Sequence, residues 1–277
     1  MSKNTAETSQ AHDTSPIAVK IYGVDLTVSR DLPWMDRFWK MTQSGDWEDD
    51  TLRFIVNHVT PQTTVLDIGA WIGPITMLAS KLGHHVYSVE PDPVARETLV
   101  KNVALNNIVN NTIFDKAISE EAGELKLYSP KIMGDSQTSA LAPNDGESVS
   151  VPTMSLADLS KWAPEDKPLV VKIDIEGFEF PLAPAIYRLM EDRKPFLHIS
   201  LHPKILAKSL APERGKIAAR FAALRQTLTI IRTLKQYDTM HLDEHSNILP
   251  ISWSVFSLIM TPWRKPINFS ISIIPQE

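Results

Sequence analysis

The sequence predicts an α/β fold built around a mostly parallel β-sheet, and three observations support this. From residue 64 onward, short apolar runs of strand length alternate with helical segments, as crossover-connected parallel strands require. The first run carries Asp67 and is followed by Gly69 and Gly73, in VLDIGAWIG at 65–73. A second run ends at the acid Glu90, in VYSVEPD at 86–92. We therefore expect a Rossmann-like domain of about seven strands with helices on both faces of the sheet.

The composition is that of an ordinary soluble globular protein. The 277 residues are 43% hydrophobic and 22% charged, with a net charge of −5. This acidic balance leads us to expect no nucleic-acid partner, because such partners usually require a basic face. The absence of cysteine excludes disulfides, thiolate metal sites and a cysteine nucleophile. The polar start lacks a signal-peptide pattern, and the longest apolar window near the end, Ile251–Met260, is too short to span a membrane. We expect a cytoplasmic protein.

The chain divides into three predicted parts. Residues 1–15 are polar and are expected to form a disordered tail. Residues 16–60 form an N-terminal extension, with a small hairpin at 17–28 around Gly23 and two short helices within 34–56. Residues 61–277 form the sheet-containing domain.

Within that domain, strand and helix patterns follow one another. The predicted strands are Thr64–Ile68, Val86–Val89, Thr112–Ala117, Glu124–Tyr128, Leu169–Ile175, Phe196–Leu201, Tyr237–Leu242 and Ser254–Met260. The predicted helices are Pro74–Lys81, Pro93–Asn106, Ser155–Trp162, Pro184–Met190 and Glu213–Leu234. The turn-rich segment 131–146 is expected to be a loop, in which Ser136 and Ser139 are candidates for ligand contact.

The loop after the first strand indicates the cofactor class. Dinucleotide folds carry G-x-G-x-x-G there, whereas this chain has Asp67, Gly69 and Gly73. A carboxylate at this point would repel a pyrophosphate and suits a cationic ligand. S-adenosylmethionine carries a sulfonium and an ammonium group, so the pattern favours it over a nicotinamide cofactor. Glu90, 23 positions beyond Asp67, fits the ribose hydroxyls, and Asp115 at the end of the third strand could meet the adenine amine. Taken alone, Asp67 also fits a helix cap, and Asp115 a simple strand end.

Four segments together resemble the FkbM family of S-adenosylmethionine-dependent O-methyltransferases. They are VLDIGAWIG, VYSVEPDPVARETLVKNVALNN, DKAISEEAGELKLY and VVKIDIEGFEFPLA, within roughly residues 45–205. The resemblance implies a class I methyltransferase fold. It also implies that Asp67, Gly69, Ala70 and Gly73 hold the methionine part of the cofactor, that Glu90 holds the ribose, and that Glu48 and Trp71 adjoin the cofactor. Two residues depart from the family pattern. The family usually has a small polar residue at the position of Trp71 and often has Glu at the position of Ser200.

The candidate catalytic residues lie at the ends of predicted strands. Asp174, Glu176 and His202 lie at the carboxyl ends of two consecutive predicted strands, where ligands bind in such folds. We expect the three to converge, with His202 as general base and Asp174 orienting it or the acceptor. Each also has a structural interpretation, as a loop cap or a strand end, and His198 is more typical of a buried core histidine.

The predicted function is transfer of a methyl group to a hydroxyl of a small molecule, natural product or glycan. A non-catalytic member that binds the cofactor or a partner is the alternative. The same acids and histidine could hold magnesium, but only two carboxylates are evident, so no metal is expected. The oligomeric state is left open, with a homodimer among the options.

Overall fold

The computed structural model describes residues 12–129, 133–134, 136–141, 147–236, 239–243 and 269–275. The N-terminal extension contains the predicted hairpin, β1 (Ile17–Ile21) paired antiparallel with β2 (Val24–Val28). Gly23 makes the turn with a φ of 83°, a backbone conformation that glycine adopts without strain. Helices α1 (Pro33–Ser44) and α2 (Asp49–His58) follow. The extension packs on one face of the central sheet, where the buried Trp39 lies in the same core as Val65 and Val86.

The described residues place seven strands in the central sheet, in the order β11-β12-β10-β9-β3-β4-β5. The five strands β10-β9-β3-β4-β5 are parallel, whereas β12 runs antiparallel to β10 and β11. This confirms the predicted Rossmann-like fold with a mostly parallel sheet. The bounds are β3 (Thr64–Ile68), β4 (His85–Val89), β5 (Asn111–Phe114), β9 (Leu169–Ile173), β10 (Phe196–Leu201), β11 (Thr239–Asp243) and β12 (Phe269–Ile274).

Helices cover both faces of the sheet. They are α3 (Pro74–Leu82), α4 (Pro93–Leu105), α5 (Leu156–Ser160), α6 (Glu179–Arg193), α7 (Pro203–Arg214) and α8 (Lys216–Leu234). A separate three-stranded sheet combines β6 (Ala117–Ser119), β7 (Gly123–Tyr128) and β8 (Ser148–Ser155). One apolar core lies between the sheet and α5, α6 and α8, and a second lies beneath the N-terminal extension and α3.

Several predicted elements need correction. The strand at 124–128 belongs to the small sheet. Helix α6 begins at Glu179 rather than Pro184, so that Pro184 lies inside the helix. The long predicted helix begins only at Lys216, after Gly215 ends the unpredicted helix α7 with a φ of 76°. The predicted strand at 254–260 and most of the predicted tail, residues 1–11, lie outside the described residues.

Candidate active site

A cavity of about 150 Å³ opens at the carboxyl ends of β3, β4 and β9. This is the edge where parallel α/β sheets bind ligands. Its walls include the loop after β3, the end of β4, the loop after β9 and the segment before α2. The strands β6 and β7 of the small sheet and residues near Thr138 also contribute. The polar or charged side chains in the lining are Glu48, Glu90, Asp92, Ser136, Thr138, Lys172, Asp174 and Glu176.

The loop after β3 passes extremely close to the loop after β9. A Cβ atom on Gly69 would lie 1.8 Å from the carbonyl oxygen of Asp174, so only glycine fits here. Gly69 also has a φ of 79°, which glycine tolerates best. Ala70 and Trp71 continue the cavity wall, and Trp71 itself has a φ of 49°. The sequence motif therefore folds into a tight wall with its backbone exposed to the cavity.

Glu90 holds this loop in place. One of its carboxylate oxygens accepts a hydrogen bond from the backbone N–H of Trp71 at 2.6 Å, and the other accepts one from the N–H of Asp92 at 2.8 Å. Burial raises the pKa of Glu90 to about 7, although both backbone bonds lower it. Glu90 lines the cavity. That it holds the ribose of the cofactor stays a prediction.

Asp67 does not face the cavity. It is fully buried behind the loop, accepts a hydrogen bond from the Thr76 hydroxyl at 2.6 Å, and lies 3.5 Å from the ammonium of Lys172. β3 therefore directs the Asp67 side chain toward α3 and away from the cavity. That Asp67 helps to hold the methionine part of the cofactor stays a prediction. Lys172 lines the cavity instead and donates to the carbonyl of Gly69 at 2.6 Å. Burial alone would lower the pKa of Lys172, but the Asp67, Asp174 and Glu48 carboxylates raise it.

Two other predicted cofactor residues lie outside the cavity lining. Gly73 caps α3 with a φ of 92°, and a Cβ there would lie 2.5 Å from the Leu99 side chain, so this glycine permits helix packing. Asp115 is exposed beyond the end of β5. Beyond it the chain enters β6, where Ala117 and Ile118 line the cavity. That Asp115 meets the adenine amine stays a prediction.

The three predicted catalytic residues do converge. Nε2 of His202 lies 3.6 Å from Asp174 Oδ1 and 3.6 Å from Glu176 Oε2. Its Nδ1 lies 3.0 Å from Oε1 of Glu179, which is fully buried and also accepts from the N–H of Ile175. Burial would lower the pKa of His202, but Glu179, Asp174 and Glu176 raise it to about 10. At this pKa His202 is a cation at neutral pH and would have to lose a proton before it could act as a general base. That role stays a prediction.

This cluster could also hold a metal ion. The candidate ligand atoms of Asp174, Glu176 and His202 lie within 4.8 Å of one another. Such a spacing suits a small divalent cation, but acidic groups often meet in this way without one. That no metal is needed stays a prediction.

Glu48 brings a further acid to the same place from the N-terminal extension. Burial, and then the Asp174 carboxylate, raise the pKa of Glu48 to about 8. Its φ of 39° and the φ of 50° at Glu176 put both acids, like Trp71, in the left-handed region. Non-glycine residues rarely adopt this conformation, and it concentrates at functional sites.

A second, larger cavity of about 490 Å³ adjoins the first. It is aromatic: Trp34 stacks on Trp71 with centroids 5.6 Å apart, and Phe38 contacts Trp71 at 4.8 Å. Trp71 also donates from Nε1 to the Gly134 carbonyl at 3.0 Å. Trp71, which departs from the family pattern, thus connects the N-terminal extension to the loop that contains Gly134. Trp39, in contrast, is a core residue.

The loop at 133–141 is attached to the site by hydrogen bonds. Asp92 accepts from the N–H of Gly134 at 2.6 Å and the hydroxyl of Thr138 at 3.0 Å. Ser139 donates to the carbonyl of Glu176 at 2.6 Å. Ser136 lines the cavity, whereas Ser139 is buried in the wall.

Two buried strand residues have structural partners. His198 lies 3.0 Å from the Thr51 hydroxyl and 2.9 Å from the Ser272 hydroxyl, which confirms it as a core histidine. Ser200 lies 3.3 Å from the Ser270 hydroxyl on β12, so this departure from the family is accommodated within the sheet.

Sequence reasoning missed Glu179 and the role of Lys172. Glu179 lies three residues after Glu176 in IEGFE but begins α6, whereas Glu176 belongs to the preceding loop with a φ of 50°, so no periodic pattern indicated that they meet. Lys172 lies on the predicted strand 169–175, but nothing in the sequence pairs it with Asp67 on the neighbouring strand.

The fold and the site define a class I methyltransferase: a mostly parallel seven-stranded sheet with a cavity at its carboxyl edge, lined by a glycine loop and an acid on the next strand. The chain belongs to the family of the methyltransferase FkbM domain, whose model matches residues 67–230. This confirms the resemblance read from the sequence.

Individual relatives match less of the chain. The ribosomal protein L11 methyltransferase of Clostridium perfringens is 39% identical over 71 residues, 24% of this chain and 23% of that protein. This chain therefore spans under a quarter of the length of that relative. An rRNA methylase structure from Streptococcus thermophilus has a TM-score of 0.44 and 14% identity, covering 85% of this chain and 96% of the other. TYW2 from M. jannaschii in complex with AdoMet has a TM-score of 0.44 and 12% identity, covering 95% and 87%.

These names correct the predicted acceptor. The expectation of a small-molecule or glycan acceptor, with nucleic acid excluded, is overturned, because the 39% identical relative is named for a macromolecule, a ribosomal protein. The exclusion rested on the net charge, which reports the sum of charges and not their distribution over the surface. Within the described part of the chain, no helix combines the length and apolar character needed to cross a bilayer.

Proposed function

We propose that the protein transfers the methyl group of S-adenosylmethionine to a hydroxyl oxygen of its acceptor. One observation carries this proposal. A single cavity has the Gly69–Trp71 loop and the Glu90 carboxylate on one side, and Asp174 and Glu176, which meet His202, on the other. The first side suits the cofactor and the second suits the acceptor.

The charges of the cavity fit this cofactor. Glu48 is largely protonated at neutral pH because of its raised pKa, but Glu90, Asp92, Asp174 and Glu176 outnumber Lys172 in the lining. Such a set of acids favours a ligand with sulfonium and ammonium groups over one with phosphates. Glu90 is placed to accept hydrogen bonds from the ribose hydroxyls. When bound, the cofactor supplies an electrophilic methyl carbon. Gly69 allows the loops after β3 and β9 to meet at the wall of this cavity, because any side chain would clash with the Asp174 carbonyl oxygen.

Methyl transfer to oxygen forms a C–O bond as the C–S bond breaks, and the hydroxyl loses its proton. We assign the proton-accepting role to Asp174, because its buried Oδ1 makes no hydrogen bond and faces Nε2 of His202. His202, held by Glu179, positions the two carboxylates and balances their charge. Alignment of the acceptor contributes roughly 7–11 kcal/mol, and the base on the order of 10²–10⁴-fold in rate.

The test separates binding from chemistry. Calorimetry with S-adenosylhomocysteine measures cofactor affinity, and transfer of labelled methyl groups into a host extract measures turnover. Asp174→Asn should keep affinity within a few fold and lower turnover by on the order of 10²-fold or more. Asp166→Asn, an exposed carboxylate outside the cavity lining, is the matched control. Acid-stable ether-linked label would support oxygen as the acceptor atom.

Three results would count against the proposal. Failure to bind S-adenosylhomocysteine would exclude the cofactor. Binding without any label transfer would indicate a non-catalytic member. Unchanged turnover in Asp174→Asn would remove it as the base. Loss of transfer with EDTA, restored by magnesium, would overturn the prediction that no metal is needed.

A further inference from the structure

The positive charge of this acidic protein is concentrated in the helical hairpin α7–α8. Residues 203–236 carry eight cationic side chains and one acidic one, a net charge of +7 in a chain whose net charge is −5. The rest of the chain therefore carries −12. The cations are Lys204, Lys208, Arg214, Lys216, Arg220, Arg225, Arg232 and Lys235, and all of them are exposed.

Helix α8 separates this charge cleanly from the core. Its buried face consists of Ala219, Ala223, Thr227, Ile230, Ile231 and Leu234. The opposite face carries Phe221, Arg225 and Arg232 at helical spacing. Phe221 is 65% exposed and Ile217 is 73% exposed, although such residues usually lie in a core or an interface. The face thus combines guanidinium groups with an exposed aromatic ring.

The hairpin begins at the candidate active site. His202 directly precedes α7 and is its N-terminal cap residue. A Cβ on Gly177, next to Glu176, would lie 3.1 Å from the Ile205 side chain of α7. A long ligand lying along the hairpin can therefore reach the Asp174, Glu176 and His202 cluster.

We propose that the hairpin α7–α8 is a docking surface for the phosphate backbone of single-stranded RNA. Lysine and arginine neutralise phosphates, and an exposed aromatic ring gives a base a surface to stack on. RNA is chosen over DNA because every RNA nucleotide has a 2′-hydroxyl that the cavity could methylate. This choice rests on the proposed function, whereas the docking of a phosphate backbone on the hairpin does not.

The experiment measures binding of a fluorescently labelled 20-nucleotide single-stranded RNA to the full chain by anisotropy at several KCl concentrations. The double variant Arg225→Glu, Arg232→Glu should lose affinity at least tenfold. It should also flatten the slope of log affinity against log salt by about 1.4, since each single-strand phosphate contact contributes about 0.7. Phe221→Ala should lose roughly tenfold with an unchanged slope. The control Lys20→Glu, Lys161→Glu makes the same charge change on exposed residues of β1 and beside α5, and should stay within twofold.

Calorimetry with S-adenosylhomocysteine on each variant shows that its cofactor cavity is intact. Equal losses in the hairpin variant and the control would overturn the proposal. The proposal would also be overturned if polyglutamate bound more tightly than RNA and the hairpin variant lost that binding. This result would indicate an acidic protein partner. RNA binding with the expected effects of the variants supports the docking surface even if no methyl group is transferred. The absence of transfer would overturn only the proposed function.

Discussion

Replacing Gly69 with alanine tests whether the close approach of the β3 and β9 loops builds the cofactor cavity. The new Cβ would lie 1.8 Å from the Asp174 carbonyl oxygen, whereas contacts below 3.0 Å essentially do not occur. The loops must then separate by 1.2 Å or more. This strains the hydrogen bond from the N–H of Asp174 to the Ile68 carbonyl, which is 3.0 Å long.

The expected loss of stability in Gly69→Ala follows from two contributions. A left-handed backbone costs alanine about 1–2 kcal/mol relative to glycine, and loss of one buried backbone hydrogen bond costs about 1–3 kcal/mol. Gly69→Ala should therefore lower the free energy of unfolding by about 2–5 kcal/mol. Displacement of the cavity wall by about 1 Å should weaken binding or turnover by on the order of 10²-fold.

Gly23→Ala is the matched control. Gly23 has nearly the same φ, 83° against 79°, but a Cβ added there would meet nothing within 4 Å beyond its own chain neighbours. In Gly23→Ala the free energy of unfolding should fall only by the backbone contribution of about 1–2 kcal/mol, and the cofactor affinity should be unchanged. Urea denaturation and calorimetry with S-adenosylhomocysteine measure both quantities. Equal losses of stability and affinity in the two variants would refute the reasoning.

Two further predictions concern protonation. The pKa of Glu90 is about 7, and ribose hydroxyls donate to its ionised form, so affinity for S-adenosylhomocysteine should rise about tenfold between about pH 6 and pH 8. Glu90→Gln should bind weakly and show no such rise, and a pH-independent affinity of the natural protein would contradict this. Burial also raises the pKa of Glu48 to about 8. Folded protein then retains protons that the unfolded chain releases, so stability should fall as pH rises from about 5 to 8. Glu48→Gln should flatten this fall in urea denaturation, with the exposed Glu165→Gln as control, and a rise in stability over this range would count against it.

Local sequence patterns predicted the strand, loop and helix units well. The strand at 64–68 has the predicted bounds, and the glycine loop follows it because Gly69 and Gly73 both need a positive φ. Periodicity also placed Asp174, Glu176 and His202 at one edge of the sheet. These features depend on residues near in sequence, so spacing alone constrains them.

Other features depend on contacts between distant segments. Asp67 lies within the motif that identified the family, yet it pairs with Thr76 and Lys172 behind the cavity wall. The direction of its side chain is set by the packing of α3 on the sheet, which the motif does not encode. Trp71 likewise acquires its partners Trp34 and Gly134 only when three segments meet.

The protonation of His202 illustrates the same difference. Its ordinary pKa suggested a general base, but Glu179, Asp174 and Glu176 surround it in the fold and make it a cation. The pKa of a buried group depends on charges a few ångströms away in space, whatever their distance along the chain.

The sequence by itself determined the fold class, the methyltransferase family and the strand ends at which the site lies, because these follow from hydrophobic periodicity and local backbone requirements. Only the tertiary structure decided which acids line the cavity, how they are protonated and where the positive charge is exposed. Packing sets side-chain direction and desolvation, and electrostatic interactions act through the space between residues rather than along the chain.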